Sequence, residues 1–407
     1  MDLRSGAAFW PIRDGLLHTY PPLEEDLDAD VVVIGAGCTG ALVAHRLTAA
    51  GAAVVVLDKR DVASGSSAAT TGLLVHETDT SLLELADSIG ECNAVRVWKL
   101  GLEAVSEIEQ LCADIEGGCG FDRRGTLYLA STRRDARRLA VEHAFRARHG
   151  FDVEWLSGRE IAQRYGIDAP GGIYSRGNGQ IDNFCFTHSV LHAAAVRGAR
   201  IFDRTEVQAA EARKDHIIVA TAGGPRVRAR RVVWATGYES NEETQKRVGR
   251  MHSTWALVSE PVHDLGSWRN GELIWETARP YLYARVTCDN RVMLGGEDEP
   301  FSRRHANEGL LVKKSARLVK RFNAWFPAID VDVAYRWAGV FTTTRDGLPY
   351  IGSVPQHPHA WLVLGYGGNG ITFAMVAARM IGDAWLGRSN SDARLFAFDR
   401  QRRLDRI

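Results

Sequence analysis

A buried-strand pattern that runs directly into a glycine-rich turn constrains this chain more than any other feature. The run DVVVIGAGCTG ends at Gly40, and a helical pattern follows at once. The spacing of Gly35, Gly37 and Gly40 gives a tight turn, a close backbone approach and a close helix–strand contact, in that order. A second apolar run, 54–57, ends at Asp58, whose carboxylate can accept hydrogen bonds from a ribose diol. The complete pattern predicts a bound dinucleotide with its pyrophosphate on a helix N-terminus, whereas the glycines alone would indicate only a tight turn.

Length and composition narrow the class of protein. The chain has 407 residues, of which 45% are hydrophobic and 25% are charged, and 50 basic residues balance 50 acidic ones. These values are ordinary for a globular protein with enough residues for two or three domains. A net charge of zero gives no electrostatic reason to expect a nucleic acid or an anionic membrane as partner.

Signals for metal binding, export and membrane insertion are missing. The six cysteines form no C-x-x-C pair and no histidine cluster has metal-ligand spacing, so we expect no metal and reduced, mostly buried thiols. The N-terminal residues do not read as a basic-then-apolar leader, and we expect a cytoplasmic protein. The uncharged run 360–378 has about the length of a membrane span, but its GYGGNG centre predicts a strand, a glycine loop and a helix instead of a transmembrane segment.

Two kinds of sequence alternate along the chain. Apolar runs followed by helical patterns occupy its beginning, middle and end, whereas residues 250–335 alternate aromatic and polar residues between glycine turns. The first kind is typical of a parallel nucleotide-binding sheet and the second of an antiparallel sheet. We therefore predict an α/β protein in which a discontinuous Rossmann-type domain carries an inserted antiparallel-sheet substrate domain. The predicted segments are an N-terminal surface arm (1–28), the nucleotide-binding domain (29–90, 165–245 and 335–407) and the inserted domain (91–164 and 246–334).

Three further loops have the composition of ligand-facing segments. Residues 61–72 are mostly small or hydroxyl-bearing, which suits a loop that lies against a ligand. A buried strand pattern ends in Ala235, Thr236 and Gly237. The run GYGGNGIT, 365–372, precedes a helical pattern, and the N–H groups of such a helix N-terminus can stabilise negative charge on a bound ring.

Together these motifs resemble a known superfamily. GAGCTG with Asp58, the small-residue loop that ends at Gly72, VVWATG, the WAG…DGLPYIG segment and GYGGNGIT are similar to motifs of the D-amino-acid oxidase, glycine oxidase and sarcosine oxidase superfamily of flavoproteins. The resemblance extends from about Tyr20 to the last helical pattern. The opening YPPLEEDLDADVVVIG is similar to the amine-directed branch that includes γ-glutamylputrescine oxidases.

The resemblance implies a glutathione-reductase-type FAD fold, with FAD and not NAD as cofactor. In that superfamily the first glycine loop and its acid hold the adenosine half, and the C-terminal glycine loop meets the flavin ring. Sarcosine-type relatives tether the flavin through a cysteine in the C-terminal part, but no cysteine follows Cys288, so we expect non-covalent FAD. The cofactor contacts that the resemblance implies are Gly35, Gly37, Cys38, Thr39, Gly40, Asp58, Lys59, Ser66, Thr70, Thr71, Gly72, Val207, Ala235, Thr236, Gly237, Asp346, Gly367, Gly368, Asn369, Gly370, Ile371 and Thr372.

The resemblance also implies C–N chemistry. A neutral amine or α-amino acid would transfer a hydride to flavin N5, the imine would hydrolyse, and O2 or another acceptor would reoxidise the flavin. Relatives that oxidise glycine or D-amino acids carry an arginine for the substrate carboxylate where this chain has Phe341, so an amine, or an acid held elsewhere, is favoured. Oxidase and dehydrogenase both stay open. So do two alternatives: a flavin dehydrogenase of a hydroxy acid or other C–OH substrate, and a non-catalytic FAD-containing subunit.

Three residues are candidates for the substrate side of the cofactor. His76 follows the small-residue loop, although a hydrogen-bonded structural histidine is also consistent with this position. Tyr281 and Tyr283 should share one face of a strand, either at the pocket wall or in the domain core. Arg285 continues that strand and could face the pocket, or serve as a solvent or structural arginine. His76, Tyr283 and Arg285 are therefore the predicted substrate-pocket residues.

Overall fold

A computed structural model describes residues 4–239, 248–268, 270–302 and 307–400. Parts of the predicted segments at 1–3, 240–247 and 401–407 lie outside the described residues. The described strands, in chain order, are β1 (Arg4–Gly6), β2 (Leu27–Ile34), β3 (Val54–Leu57), β4 (Leu73–Leu74), β5 (Asp122–Leu129), β6 (Val153–Ser157), β7 (Gly171–Gln180), β8 (Arg200–Phe202), β9 (Val207–Ala212), β10 (Ile217–Thr221), β11 (Arg226–Trp234), β12 (Arg250–Pro261), β13 (Leu273–Glu276), β14 (Leu282–Val286), β15 (Arg291–Pro300), β16 (Val333–Thr343), β17 (Tyr350–Val354) and β18 (His357–Leu364). The described α-helices are α1 (Phe9–Asp14), α2 (Cys38–Ala49), α3 (Ser66–Ala69), α4 (Leu82–Ile89), α5 (Glu91–Asp114), α6 (Arg133–Arg148), α7 (Gly158–Tyr165), α8 (Asn183–Val196), α9 (Glu308–Trp325) and α10 (Gly370–Trp385).

One sheet contains a parallel core. Among the described residues it has eight strands, in the order β17–β18–β11–β2–β3–β8, and β10 joins β11 to β9. Strands β18, β11, β2, β3 and β8 run parallel to one another. The inner strands are apolar and buried toward their carboxyl ends, at 31–34, 54–57, 232–234 and 362–364, because both faces of a parallel sheet are covered there. Their carboxyl ends meet at one edge, which is where such sheets bind ligands.

The other sheet is mostly antiparallel. Its ten described strands follow the order β1–β16–β12–β15–β14–β13–β5–β7–β4, and β6 pairs with β7. Helix α9 packs against β12, β14, β15 and β16, and its apolar face contributes to a hydrophobic core that contains Leu318 and Phe322. A parallel nucleotide-type sheet combined with an antiparallel sheet confirms the predicted fold class.

Sheet membership and helix packing depart from the predicted segment limits at several places, and strands β4 and β16 are two of them because both belong to the ten-stranded sheet. Strand β7 falls in a segment predicted for the nucleotide-binding domain, but it pairs antiparallel with β5 in the ten-stranded sheet. Helix α5 falls in a segment predicted for the inserted domain, but it packs against α10 and belongs to the core beside the parallel sheet. Alternation along a strand does not reveal its partner, because that partner lies far away in the sequence. The limits themselves stay a prediction.

The sequence predicted that the N-terminal arm lies on the surface, but part of it is buried. Strand β1 pairs antiparallel with β16, with Arg4 opposite Gly339. Phe9 and Trp10 of α1 are only 2% and 1% exposed. The surface prediction was wrong for this part because the prolines and acidic residues around these two rings hid a buried apolar pair.

The cysteine prediction is partly wrong. Cys112 and Cys119 form a disulfide, and Cys92 and Cys288 are exposed instead of buried. Cys38 is buried, as expected. A separation of seven residues between two cysteines carries no signal of pairing, because it does not say whether the chain folds back between them.

The described part of the chain offers neither a membrane-spanning helix nor a metal-binding cluster. No helix there combines the length and the apolar character needed to cross a bilayer. No group of three or more histidine, cysteine, aspartate or glutamate side chains there could hold a metal ion.

Candidate functional site

A cavity of about 940 Å³ lies between the two sheets and is lined by residues of both. One end is lined by the residues that follow β2, β3 and β11, at the carboxyl edge of the parallel sheet. The other end is lined by residues of β12 and β16 and by the segment around β14. Small-molecule and cofactor sites typically occupy clefts of about 300–1,000 Å³. The cavity is therefore large enough for a cofactor together with a smaller molecule.

The first glycine turn forms one wall of the cavity as predicted. Asp58, at the end of β3, accepts hydrogen bonds from the backbone N–H groups of Ala36 at 2.7 Å and Arg60 at 2.9 Å. Burial raises the pKa of the Asp58 carboxyl, and these two N–H groups oppose that shift. Helix α2 begins directly after Gly37. The carboxylate thus holds the glycine turn in place beside the N-terminus of this helix.

The loop 64–72 is held by donors from distant parts of the chain. Trp10 donates from its indole N–H to the Thr70 carbonyl at 2.7 Å, and Trp337 donates to the Ala69 carbonyl at 2.8 Å. The Arg4 guanidinium donates to the Ser64 carbonyl at 2.9 Å. The N-terminal arm and the ten-stranded sheet therefore fix a loop that belongs to the cofactor side of the cavity.

The C-terminal glycine loop is anchored to the segment after β4. The Asn369 side-chain amide donates to the carbonyls of Val75 at 3.0 Å and Glu77 at 2.9 Å. The Gly368 N–H donates to Asp79 Oδ2 at 3.2 Å. Helix α10 starts at Gly370, so its N-terminus faces the cavity.

Most predicted cofactor contacts line the cavity. Six separate segments of the chain bring them together. The lining residues are Gly35, Gly37, Cys38, Thr39, Asp58, Lys59, Ser66, Thr70, Thr71, Val207, Ala235, Thr236, Gly237, Gly367, Gly368, Asn369, Gly370 and Ile371. Their contact with a cofactor stays a prediction.

Three other predicted contacts lie behind the wall. A Cβ at Gly40 would collide with the Gly35 carbonyl oxygen, so this glycine serves the close helix–strand contact. A Cβ at Gly72 would collide with the carbonyl oxygen of Ile181. Thr372 donates from its hydroxyl to the Val75 carbonyl at 3.2 Å. These residues support the wall and are absent from its surface.

Asp346 does not reach the cavity, and its predicted place at the cofactor's edge is wrong. It is 3% exposed and accepts two hydrogen bonds at 2.8 Å from the Arg400 guanidinium. Arg400 stands 54 residues further along the chain. The DGLPYIG motif alone could not show that a C-terminal arginine takes up this carboxylate.

His76 and Arg285 are also absent from the cavity wall, which contradicts their predicted substrate-side position. His76 is 3% exposed, and its Nδ1 lies 2.7 Å from Asn178 Oδ1. Burial lowers the pKa of this imidazole. The Arg285 Nη1 donates to the carbonyls of Thr71 at 2.7 Å, Gly72 at 3.1 Å and Ile181 at 3.0 Å. The structural alternative therefore holds for both residues.

Aromatic side chains form the wall opposite the glycine loops. Tyr281, Tyr283 and Phe341 all line the cavity, which decides the open question about the two tyrosines in favour of the wall. Tyr283 lies with its hydroxyl 3.4 Å from Thr71 Oγ1. Burial raises the pKa of both phenols, so they stay neutral.

Sequence reasoning missed two carboxyl groups near this wall. Asp79 lines the cavity, and burial raises the pKa of its carboxyl. Asp298, on β15, has its pKa raised by burial to about 6, and the hydroxyls of Thr254 and Tyr281 oppose that shift. No motif marks either residue. Their significance depends on which loops and strands meet at the cavity.

Comparison with known proteins identifies the family. The model of the family described as FAD dependent oxidoreductase matches residues 30–384. The chain belongs to this family. The match extends over both sheets and all the loops that line the cavity, so the family's fold and its oxidoreductase character apply to the whole site.

Relatives of this FAD-dependent oxidoreductase are similar over most of their length. Glycine oxidase of Geobacillus kaustophilus is 26% identical over 370 residues, which are 87% of this chain and 92% of that protein. Gamma-glutamylputrescine oxidoreductase of Escherichia coli is 25% identical over 378 residues, which are 90% of this chain and 86% of that protein. The crystal structure of the Geobacillus glycine oxidase has a TM-score of 0.78 and 21% identity, covering 90% of this chain and 96% of its own.

The residues of this oxidoreductase fit FAD. Helices α2 and α10 both begin at glycine loops on the cavity wall, and helix N-termini supply N–H groups to anions and polar rings. A Cβ at Gly37 would lie 3.1 Å from Ser67 Oγ, which is closer than an ordinary van der Waals contact, so the absence of a side chain keeps this part of the wall open. The buried Ser66 Oγ has no hydrogen-bond partner among the described residues, as expected for a group that awaits a ligand.

Proposed function

We propose that this oxidoreductase uses non-covalent FAD to oxidise a C–N bond of an amine or amino acid, with a preference for substrates without an α-carboxylate. The observation that carries this proposal is the composition of the cavity. Its glycine loops, with two helix N-termini, face an aromatic wall that includes Phe341. Two relatives are named for glycine and for gamma-glutamylputrescine, and both compounds contain C–N bonds.

The proposed roles of the residues follow from their positions. When bound, FAD supplies an acceptor for the hydride of a C–H bond next to nitrogen. Asp58 would accept hydrogen bonds from the ribose diol, and the α10 N-terminus would favour negative charge on the reduced ring. Tyr281, Tyr283 and Phe341 would pack against the substrate and exclude water. The oxidation of the C–N bond needs a neutral amine. Because the two phenols are neutral, they add no negative charge that would stabilise the ammonium form of the substrate.

The preference for amines rests on Phe341. An arginine holds a carboxylate by two parallel hydrogen bonds, whereas a phenyl ring offers only apolar contact. The ring of Phe341 lies with its centroid 5.2 Å from that of His252 and stacks on it, so it is fixed at the wall. The phenyl ring at this position offers no hydrogen-bond donor to a substrate carboxylate.

Non-covalent binding of FAD is supported by the state of a thiol on the cavity wall. Cys38 lines the cavity, and burial raises the pKa of its thiol to about 12. Such a thiol stays protonated and is a poor nucleophile. Acid precipitation of the purified flavoprotein should therefore release all of its yellow colour into the supernatant, whereas a yellow pellet would show a covalent link.

Anaerobic reduction of the purified flavoprotein tests the reaction class. Adding a panel of amines should abolish the flavin absorption near 450 nm, with a weaker response to α-amino acids. Bleaching only by hydroxy acids would instead show a C–OH dehydrogenase, and no bleaching by any panel would indicate a non-catalytic subunit. Peroxide release in air then separates an oxidase from a dehydrogenase with another acceptor.

The variant Phe341→Arg tests the substrate preference, with Phe341→Leu as the matched control. The arginine variant should gain activity toward small α-amino acids because it restores a carboxylate partner. The leucine variant loses the ring without adding a cation and should gain nothing. Equal selectivity in both variants would contradict the proposed position of Phe341 beside the substrate. The cytoplasmic location expected from the sequence stays a prediction.

A further inference from the structure

One carboxylate on the cavity wall, that of Asp79, forms no ion pair with the described residues, although the charges of Arg279 and His252 oppose the rise of its pKa. Asp79 lies between β4 and α4 and lines the cavity. Its Oδ2 accepts the hydrogen bond from the Gly368 N–H. Its negative charge is therefore directed into the space that a substrate would occupy.

Neighbouring carboxylates on the same wall are neutralised within the protein. Glu142 Oε1 lies 2.7 Å from Arg146 Nε, and Glu77 Oε1 lies 3.5 Å from Arg146 Nη1. Glu84 Oε1 lies 3.4 Å from Arg138 Nη2. Unlike these three acids, Asp79 has no arginine within ion-pair distance among the described residues, so its charge is available to another partner.

The surroundings of Asp79 suit a cation. After burial and the charge of Asp298, the charge of Asp79 contributes to the raised pKa of the phenols of Tyr281 and Tyr283, so Asp79 is close enough to both to interact. Aromatic faces beside a carboxylate attract ammonium groups and their methylene chains. The Arg279 guanidinium, centred 5.1 Å from the Tyr281 ring, is exposed and donates to the Ala278 carbonyl at 3.2 Å.

The reacting nitrogen itself is an unsuitable partner for this charge. A carboxylate stabilises the ammonium form of an amine, whereas hydride transfer requires the neutral form. An unpaired carboxylate is compatible with C–N oxidation when it holds a different cationic group of the same substrate.

We propose that Asp79 binds the second, charged nitrogen of a diamine-type substrate while the first nitrogen is oxidised. Asp79 then determines specificity: it places the substrate through an ammonium group at the end of an alkyl chain. This inference rests on the proposed C–N chemistry, but binding of the second nitrogen can be measured separately from oxidation.

The test compares α,ω-diamines of three to six carbons with n-alkylamines of equal length. Each is titrated anaerobically into the oxidised holoenzyme, and both the perturbation of the flavin spectrum and the rate of bleaching are recorded. We expect one or more diamines to bind about 10- to 100-fold more tightly than the matching monoamines, the range of a hydrogen bond to a charged group.

Asp79→Asn should abolish this difference while monoamine binding changes little. Glu84→Gln is the matched control, because its carboxylate is already paired with Arg138 and the diamine preference should persist. A preference that persists in Asp79→Asn, equal binding of the two series by the unaltered enzyme, or no binding of either series would overturn the inference. A rate loss of equal size for both series in Asp79→Asn would also overturn it, because it would assign Asp79 to proton transfer from the reacting amine.

Failure of this inference is distinguishable from failure of the proposed function. Monoamines and diamines that bleach the flavin equally well would leave C–N oxidation standing and remove the role of Asp79. Diamines that perturb the spectrum through Asp79 without bleaching it, while hydroxy acids bleach it, would support the binding site and contradict C–N oxidation.

Discussion

Replacing Arg285 with methionine separates a structural role from a substrate-binding role. Methionine approximates the length of the aliphatic part of arginine but donates no hydrogen bond. The change leaves three buried acceptors without their donor, namely the carbonyls of Thr71, Gly72 and Ile181. Since two of these carbonyls belong to the loop on the cofactor side of the cavity, the variant should lose stability and bind FAD more weakly.

The size of the effect follows from two opposing contributions. Hydrogen bonds to a charged group stabilise by about 1.5–3 kcal/mol each, and the three bonds share a single nitrogen and are not additive. Burial lowers the pKa of Arg285 to about 10, which shows that the charged guanidinium is costly to bury. That shift from 12.5 corresponds to about 3 kcal/mol. Subtracted from the additive limit of the three bonds, about 4.5–9 kcal/mol, it leaves about 1.5–6 kcal/mol, and because the bonds are not additive we expect a net loss in the lower part of that range, about 2–4 kcal/mol.

Two measurements give the answer. Urea unfolding of the apoprotein reports the free energy of unfolding, and quenching of flavin fluorescence during FAD titration reports cofactor affinity. Arg176→Met is the matched control, because Arg176 belongs to the same sheet but is exposed in an ion pair with Asp152. An Arg285→Met enzyme with normal stability and normal FAD affinity, but a raised KM for the amine, would refute the structural role and restore the substrate-binding role.

Three further predictions concern the cofactor turn and the aromatic wall. Asp58→Asn should weaken FAD retention by about 1–3 kcal/mol, and undiminished flavin content after dialysis would contradict this. Gly40→Ala should prevent the α2–β2 contact and abolish cooperative thermal unfolding, because its Cβ would collide with Gly35; a native melting curve would count against the packing argument. The pKa of Asp298 is raised to about 6 in the folded protein, so the folded state binds a proton more tightly than the unfolded chain does. The free energy of unfolding should therefore fall by roughly 2–3 kcal/mol as the pH rises from 3.8 to about 6. Urea unfolding at pH 4 and pH 7 should show that difference, and Asp298→Asn should reduce it.

The sequence predicted the parallel sheet and its ligand-facing edge because those signals are local. A buried strand, three spaced glycines and a terminal acid form a pattern within thirty residues, and Asp58 accordingly holds the turn. The aromatic alternation around β14 was also local, and it placed Tyr281 and Tyr283 on one face. Which face of the strand lines the cavity was not predictable, because it depends on the strands that pair with β14 in the sheet.

Residues whose role depends on a distant partner could not be placed from the sequence. The DGLPYIG motif led us to expect Asp346 at the cofactor, but its carboxylate accepts hydrogen bonds from Arg400 instead. His76 follows the right loop, but Asn178 fixes its imidazole away from the cavity. In each case the partner is more than fifty residues away, and a side chain's hydrogen-bond partner is decided only when two such segments meet.

The cofactor side of the cavity is built from both sheets, and this has a consequence for how the enzyme loads FAD. The loop 64–72 has the composition of a ligand-facing loop, yet its carbonyls are held by Arg4, Trp10, Arg285 and Trp337, all from the N-terminal arm or the ten-stranded sheet. A buried carbonyl without its donor costs about 1–3 kcal/mol, so this loop is stable only when the second sheet is in place. The ten-stranded sheet should therefore contribute to cofactor binding as well as to the aromatic wall of the cavity. Cofactor affinity and folding of the ten-stranded sheet should consequently change together in variants of these four donors.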